Sequence, residues 1–382
     1  MKKMLALVSV LMLVILTACS GSDNSANGNT AATDSNAPAT SETATSKDGD
    51  KLKVVLLIPG NLGDKSFLDS ANRGLEMVRD QLGATTKVIE MGTDQTKWEP
   101  IYLDVVEQDW DLIISGNSTA SEIFHAIAAE HPEKKFIDFE TDFVDIPDNV
   151  YAMWYRVNDA SFLAGAAAAL TSTSNLPNAN PEKIIGFLGG LDVPGINAFL
   201  VGYIEGAQYV VPDIKVFTSY AGDFGDPAKG KELSLVQYNS GADVIFGAAG
   251  GTGLGIFDAA KEKKKYAIGV DSDQAEMVKS TDPDKANLIV TSSMKNVDQS
   301  ILRAVKKYQE GTLEFGERET LSFTEGAVGI AKNDIYNAAF TPEMKSKIEE
   351  IEKKLINKEI VVSDASKMET SEVEEIRNAV KP

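Results

Sequence analysis

The stretch that decides the fold is KVVLLIPGNLGDKSF, residues 53–67. It opens with a continuous apolar run at Lys53–Ile58 that Pro59-Gly60 ends, which is typical of a strand buried on both faces of a parallel sheet. Apolar residues then recur at helical spacing over residues 66–82, and Gly83 ends that helix. The stretch therefore predicts a strand, a polar turn and a helix in succession, which is the building unit of an α/β fold.

The same unit recurs along the chain. The further predicted strands are residues 87–91, 111–116, 135–139, 183–190, 214–217, 243–247 and 266–271, and the helices predicted between them are 98–108, 120–131, 160–172, 196–210, 229–240 and 255–263. Such alternation requires parallel sheets with helices on both faces. Two successive halves predict two doubly wound lobes, with a ligand in the crevice at the carboxyl ends of the strands.

The last part of the chain gives a weaker pattern. It predicts a helix at 296–310, a short strand at 321–323, a charged helix at 342–357 and a final strand at 359–362. We expect the chain to cross between the lobes near Val157, Asn296 and Phe323, which makes three hinge strands. The predicted lobes are then residues 51–157 plus 296–322, and residues 158–295 plus 323–382.

The first 50 residues predict export and anchoring. Two lysines precede a short apolar run, which ends in Leu-Thr-Ala-Cys at Cys19, the one cysteine of the chain. This order predicts a signal peptide at residues 1–18 and a bacterial lipobox that lipidates Cys19; a free cysteine after an ordinary signal is the alternative. Residues 19–50 are rich in Ser, Thr, Asn and Ala and predict a flexible tether on the outer face of a bacterial cell membrane.

Composition and motifs argue against several function classes. The formal net charge of −20 disfavours nucleic acid as a partner, and two histidines with one cysteine are too few for a His/Cys metal site. The glycines of GGTGLG, residues 250–255, lack the spacing of a dinucleotide fingerprint, and the sequence contains no P-loop and no nucleophile elbow. We therefore expect no metal, no cofactor and no catalysis.

Polar and aromatic residues follow the predicted strands, where a bound ligand would meet them. Asp64 and Phe67 follow the first strand and could hydrogen-bond and stack, with a helix cap and core packing as the alternatives. Asp271 and Asp273 follow a later strand and could bind vicinal hydroxyls, although a helix cap suits Asp273 better. Lys295 could reach the cleft near a hinge, or could be a surface lysine.

An ordered set of short motifs resembles the basic membrane protein family of substrate-binding lipoproteins, which includes the purine nucleoside receptor A type. The motifs are DKSF at 64–67, SFLAG at 161–165, GFLGG at 186–190, GADVIF at 241–246, AAGGTG at 248–253, IGVDSDQ at 268–274 and SMK at 293–295. The resemblance implies a type I periplasmic-binding-protein fold, with two doubly wound parallel-sheet lobes joined by hinge strands. It also implies that the protein delivers its ligand, usually a nucleoside, to an ABC importer.

On the base side, the resemblance implies that Phe67 and Phe199 sandwich the base of the nucleoside. The chain departs from the family there in two places. Leu68 follows Phe67 where the family usually has Asn or Asp, and GNSTAS at 116–121 replaces an aromatic-rich stretch that is followed by an aspartate. Asn117 can still hydrogen-bond in that loop. A nucleoside is therefore the expected ligand, with a sugar-type ligand as the alternative.

On the ribose side, the resemblance implies that Asp271 or Asp273 holds the ribose together with Lys295, and that Gly250 or Gly251 donates backbone contacts. The implied partners are a small-molecule ligand, the ABC permease subunits and, through the N-terminal lipid, the membrane. Two other classes stay open. An anchored sensor or regulatory lipoprotein would use the same cleft without transport, and an exported hydrolase would need a nucleophile and a general base that converge there.

Overall fold

The computed structural model describes residues 51–382. The predicted signal peptide, the predicted lipidation at Cys19 and the predicted tether lie outside the described residues. Within residues 51–382, no helix combines the length and the apolar character that a membrane span requires.

Strands and helices alternate along most of this range. In chain order the elements are β1 (Lys53–Ile58), α1 (Phe67–Leu82), β2 (Thr85–Glu90), α2 (Trp98–Val106), β3 (Leu112–Ser115), α3 (Ser118–Glu130), β4 (Phe136–Asp138), β5 (Val150–Tyr155) and α4 (Val157–Ser172). There follow β6 (Ile184–Gly189), α5 (Pro194–Val210), β7 (Lys215–Tyr220), α6 (Pro227–Asn239), β8 (Val244–Ala248), α7 (Leu254–Lys263), β9 (Tyr266–Asp271), α8 (Gln274–Lys279), α9 (Pro283–Ala286) and β10 (Ile289–Lys295). The last elements are α10 (Val297–Gln309), β11 (Glu317–Leu321), β12 (Val328–Ile330), α11 (Asp334–Ala339), α12 (Pro342–Ile356) and α13 (Thr370–Ala379).

The strands form two sheets of six strands each. Their orders are β11-β5-β4-β3-β1-β2 and β12-β10-β9-β8-β6-β7. The neighbours pair in parallel except β10 with β12, which pair antiparallel. In both sheets the chain winds outward in two directions from an inner strand, β1 or β6. The predicted α/β fold with two doubly wound parallel-sheet lobes is therefore confirmed.

Burial explains why the apolar runs predicted strands and where the helices meet. β9 is buried along its whole length, and β1 is buried from its second residue onward. The alanine-rich α4 packs against α5 at glycines. A Cβ on Gly165 would lie 2.0 Å from the Tyr203 carbonyl oxygen, and one on Gly206 would lie 1.9 Å from that of Phe162. Only glycine permits this close approach, which brings the two helix backbones together.

The chain passes between the two sheets three times, after β5, after β10 and between β11 and β12. The crossing segments are hydrogen-bonded to one another. The Arg156 N–H donates to the Leu321 carbonyl at 2.9 Å, and the Asn296 N–H donates to the Ala327 carbonyl at 2.8 Å. The connection between the two halves is therefore one bundle of three adjacent segments.

The C-terminal region differs from its prediction. The strand predicted at 359–362 is wrong, because the N–H groups of Glu359 and Ile360 turn back to the Lys354 carbonyl at 2.8 and 3.2 Å and Val361 stays 80% exposed. The short strand predicted at 321–323 lies earlier, at β11. The sequence of β11, ERETL, is polar because it is an edge strand that pairs on one side with β5.

Candidate ligand-binding site

A buried lysine lies between the two sheets. Lys295 ends β10 and is 4% exposed, so it is not a surface lysine. Its Nζ donates to Glu140 Oε1 at 2.8 Å and lies 3.6 Å from Asp271 Oδ1. Glu140 follows β4 of the first sheet, whereas Asp271 ends β9 of the second. A single ammonium group therefore links the carboxyl ends of strands from both sheets.

Three aromatic rings surround the same ammonium group. The Lys295 Nζ lies 4.1 Å from the ring centroid of Phe67 and 5.8 Å from the centroids of Tyr155 and Phe199. Phe67 opens α1 and packs at a tilt on Phe139, with 5.3 Å between the ring centroids. A cation is attracted to the face of such rings when water is excluded. The two phenylalanines predicted to bind a base thus lie within reach of one ammonium group.

Charge at the cluster is set by burial and by the opposite partners. Burial lowers the pKa of Lys295, but the attraction of Glu140 and Asp271 outweighs it and raises that pKa above its ordinary value. Burial raises the pKa of Glu140, and the attraction of Lys295 opposes the rise. The lysine is protonated, because two carboxylates and three ring faces stabilise the ammonium group.

Asp271 has a left-handed backbone conformation at the end of its strand. Its φ of 62° lies in the left-handed region, which residues other than glycine, asparagine and aspartate rarely adopt. The Asp271 Oδ2 accepts from Ser66 Oγ of the first lobe at 2.5 Å, and its Oδ1 is buried without a hydrogen bond. Nearby, Gln274 Nε2 donates to the Lys65 carbonyl at 3.0 Å. These bonds join the two lobes beside an aspartate whose Oδ1 accepts no hydrogen bond and faces the Lys295 ammonium group at 3.6 Å.

Asp64 has the helix-cap role that was the alternative to ligand binding. Its carboxylate accepts from the N–H groups of Ser66 and Leu68 at 2.9 Å and of Asp69 at 3.1 Å. Burial raises the pKa of Asp64 to about 6, against the lowering effect of these bonds. The aspartate therefore fixes the start of α1 and with it the position of Phe67. Direct contact of Asp64 with a ligand stays a prediction.

Two other predicted residues are bound within their own lobes. Asp273 accepts from the Glu276 N–H at 3.2 Å, which caps α8, and from Asn333 Nδ2 at 2.8 and 3.0 Å. Asn117 caps α3 by accepting from the Ala120 N–H at 2.8 Å. Of the two aspartates proposed for the ribose, Asp271 is therefore the one that meets the lysine, while ligand contact by Asp273 and Asn117 stays a prediction.

The glycines predicted to donate backbone contacts lie at the rim of the cleft. Gly250 has a φ of 52°, and Gly251 follows it in the turn after β8. A Cβ on Gly251 would lie 3.2 Å from the Phe224 carbonyl oxygen and 3.8 Å from the Asp64 Cα. The glycine loop of the second sheet thus meets the Asp64 loop of the first, and its contact with a ligand stays a prediction.

Glu140 is the site residue that the sequence reasoning missed. Its position two residues after the end of β4 is the signal that could have found it, since Asp271 and Lys295 likewise lie at strand ends. A buried contact between a histidine and an aspartate lies beside it, and the aspartate also binds its backbone. His125 Nε2 lies 2.9 Å from Asp138 Oδ2, and the Glu140 N–H donates to Asp138 Oδ1 at 3.1 Å. Burial raises the pKa of Asp138, and the nearby His125 opposes this rise.

The described residues offer no metal site. Within 51–382, no three His, Cys, Asp or Glu side chains come together as a set of ligands. The cleft presents ring faces that can contact a flat group, carboxylates that can accept from hydrogen-bond donors and one ammonium group that can donate to an acceptor.

Comparison with known proteins assigns the chain to a family. The family model described as ABC transporter substrate-binding protein PnrA-like matches residues 51–366. Basic membrane protein A of Borreliella afzelii is 31% identical over 319 residues, which cover 81% of this chain and 91% of that protein. The ABC transporter nucleoside-binding protein BmpA of Lactococcus lactis subsp. cremoris is 29% identical over 328 residues, covering 81% of this chain and 89% of that protein.

Solved structures agree on the architecture. An ABC transporter system solute-binding protein from Aeropyrum pernix K1 has a TM-score of 0.75 and 24% identity, and the match covers 86% of this chain and 97% of that one. At this identity the likeness supports the fold alone. The resemblance stated from the motifs is confirmed, as is the expectation of a binding protein and not an enzyme. The chain belongs to the PnrA-like family of ABC transporter substrate-binding proteins.

Proposed function

We propose that this protein captures a nucleoside between its two lobes and delivers it to the permease of an ABC importer. The observation that carries the proposal is the cluster around Lys295, where ring faces and carboxylates from both lobes converge. The similarity to a nucleoside-binding protein of Lactococcus lactis supports the ligand class. The Leu-Thr-Ala-Cys motif at Cys19 supports a lipid anchor on the outer face of the membrane.

The chemistry of the cluster suits both halves of a nucleoside. The face of Phe67 can stack on a flat base, since aromatic pairs gain from offset and tilted stacking. Asp271 Oδ1 is buried and accepts no hydrogen bond, so a ribose hydroxyl would give it the donor it lacks. Lys295 can donate to the other ribose oxygens, because its ammonium group lies beside Asp271.

We also propose that the lobes, residues 51–157 plus 296–322 and residues 158–295 plus 323–382, close over the ligand by hinge motion. The three adjacent crossing segments would absorb the change in backbone angles. The bonds from Ser66 to Asp271 and from Gln274 to the Lys65 backbone would hold the closed form. A permease that contacts both lobes could then distinguish the closed form from the open one.

Titration calorimetry of residues 51–382 with nucleosides, free bases, pentoses and hexoses tests the ligand class. Asp271→Asn should weaken nucleoside binding about tenfold or more, because the buried acceptor loses its charge. Asp213→Asn is the matched control and should leave the affinity unchanged, since Asp213 pairs with Lys183 in an exposed ion pair. Equal losses in the two variants would contradict the assignment of Asp271.

The anchor has a separate test. Cys19→Ser in the full chain should abolish incorporation of labelled palmitate and release the protein from the membrane fraction. Retention of the label in the variant would rule out Cys19 as the modified residue.

A further inference from the structure

The carboxyl groups that meet at the cleft differ in how many donors they already bind. Asp64 accepts from three backbone N–H groups of its own loop, and Asp138 accepts a backbone N–H and faces a buried histidine. Asp271 accepts a hydroxyl from the opposite lobe. Among residues 51–382, only Lys295 donates to the carboxylate of Glu140. Glu140 therefore accepts one hydrogen bond, from Lys295, and keeps unused acceptor capacity.

The position of Lys295 shows where a ligand would meet that acceptor. Its ammonium group lies 4.1 Å from the centroid of Phe67 and 2.8 Å from Glu140 Oε1. A flat ring stacked on Phe67 would take the place of the ammonium group, and the edge of the ring would face Glu140. Lys295 would still have a partner after the exchange, because Asp271 Oδ1 lies 3.6 Å away.

Glu140 is held in place for such a role. Its N–H donates to Asp138 at 3.1 Å, and its carbonyl accepts from Ser121 Oγ at 3.4 Å. Its side chain is 18% exposed. A backbone fixed at both ends and a nearly buried carboxylate give the pre-organised geometry that hydrogen-bond recognition requires.

We propose that Glu140 determines ligand specificity by accepting hydrogen bonds from the edge of the base once the base replaces Lys295 over Phe67. The inference rests on the proposed nucleoside function and adds the class of base. A carboxylate binds two adjacent N–H donors in a bidentate manner, and guanine presents such a pair at N1 and N2. Adenine presents one amino group beside a ring nitrogen that is an acceptor, and two acceptors repel. The cleft therefore prefers guanine-type nucleosides to adenosine.

The test is titration calorimetry of the full chain in detergent with guanosine, inosine and adenosine. Guanosine should bind about tenfold or more tightly than adenosine, with inosine between them. Glu140→Gln keeps the size of the side chain but presents one donor and one acceptor, which match the edge of adenine. The variant should weaken guanosine about 10- to 100-fold and reverse the preference.

A matched control separates recognition from a general loss of structure. Glu205→Gln changes a glutamate of α5 whose carboxylate accepts from the Ser363 N–H at 3.1 Å, and it should alter neither affinity. Equal weakening of guanosine and adenosine by Glu140→Gln would overturn the proposal. If Glu140→Gln does not fold, the ratio of the guanosine and adenosine affinities of the unchanged protein tests the proposal, and equal affinities would overturn it.

The outcomes also distinguish this inference from the proposed function. Nucleoside binding with equal affinity for guanosine and adenosine would overturn the role of Glu140 alone. Binding of no nucleoside at all would overturn both proposals.

Discussion

Replacing Lys295 by methionine should lower the free energy of unfolding strongly. Methionine keeps the apolar length of the side chain, so the change removes mainly the ammonium group. That group faces Glu140 at 2.8 Å and Asp271 at 3.6 Å in a cluster where all three side chains are largely buried. Removal of one partner from a buried ion pair costs about 3–5 kcal/mol, because the remaining charge has no compensation.

The loss should depend on pH in a defined direction. Burial raises the pKa of Glu140, and the substitution removes the attraction to Lys295 that opposes the rise. A carboxyl group whose pKa is higher in the folded than in the unfolded protein adds stability as the pH falls through the folded value. Part of the loss in Lys295→Met should therefore return as the pH falls through the raised pKa of Glu140.

A double-mutant cycle measures the interaction directly. Glu140→Gln in the Lys295→Met background replaces an uncompensated carboxylate by a neutral amide and should restore stability. Urea unfolding of residues 51–382, followed by circular dichroism, should give a coupling energy above about 1 kcal/mol. Additivity of the two changes within about 0.5 kcal/mol, with no dependence on pH, would refute the ion pair.

Three further predictions concern the stability of the body, residues 51–382. Gly206→Ala should lower the free energy of unfolding by about 3 kcal/mol or more, because its Cβ would lie 1.9 Å from a backbone oxygen of α4. At Gly195 on the same helix, an added Cβ would meet no atom within 4 Å, so Gly195→Ala should change the free energy of unfolding by less than about 0.5 kcal/mol. Thermal melts of the two variants compare them, and equal losses would contradict the packing of α4 on α5. Burial raises the pKa of Asp64 to about 6, so Asp64 should contribute stability as the pH falls from about 7 to about 4. In urea unfolding, Asp64→Asn should remove this contribution, which is up to about 3 kcal/mol. If Asp64→Asn leaves the pH dependence of the free energy of unfolding unchanged, the raised pKa of Asp64 is contradicted. The hydrogen-bonded Arg303 lowers the pKa of Glu319 to about 2, so their ion pair should add stability above about pH 4.5 and lose it as the pH falls towards 2. Because the pair is about one third exposed, Glu319→Gln should lower the free energy of unfolding by only about 1 kcal/mol at about pH 7 and by nothing at about pH 2. An equal loss at both pH values would be inconsistent with an ion pair.

The fold could be predicted where local sequence determines the structure. The apolar runs of β1 and β9 predicted strands because both faces of those strands are buried. β11 was harder because its residues, ERETL, are polar and its strand conformation depends on pairing with β5 across more than 150 residues of chain. The opposite error occurred at residues 359–362, where a β-branched apolar run has no neighbouring strand. The conformation of an edge strand depends on tertiary contacts, so the local sequence pattern does not predict it.

The site could be predicted in part for the same reason. Phe67, Asp271 and Lys295 follow or end strands, and the carboxyl ends of parallel strands meet at one edge. Their mutual contacts could not be predicted, because Glu140, Asp271 and Lys295 are far apart in the chain and only the three-dimensional fold brings them together. The cap of α1 by Asp64 likewise depends on the three-dimensional path of its loop.

The most direct test of the central claim is thermal stabilisation of residues 51–382 by nucleosides, free bases, pentoses and hexoses. A ligand at about 100 times its dissociation constant stabilises the folded state by about 2.7 kcal/mol, which raises the melting temperature measurably. We predict a rise with nucleosides that Phe67→Ala and Asp271→Ala abolish. A rise with sugars alone would contradict the nucleoside assignment, and no rise with any compound would leave only the fold and the family.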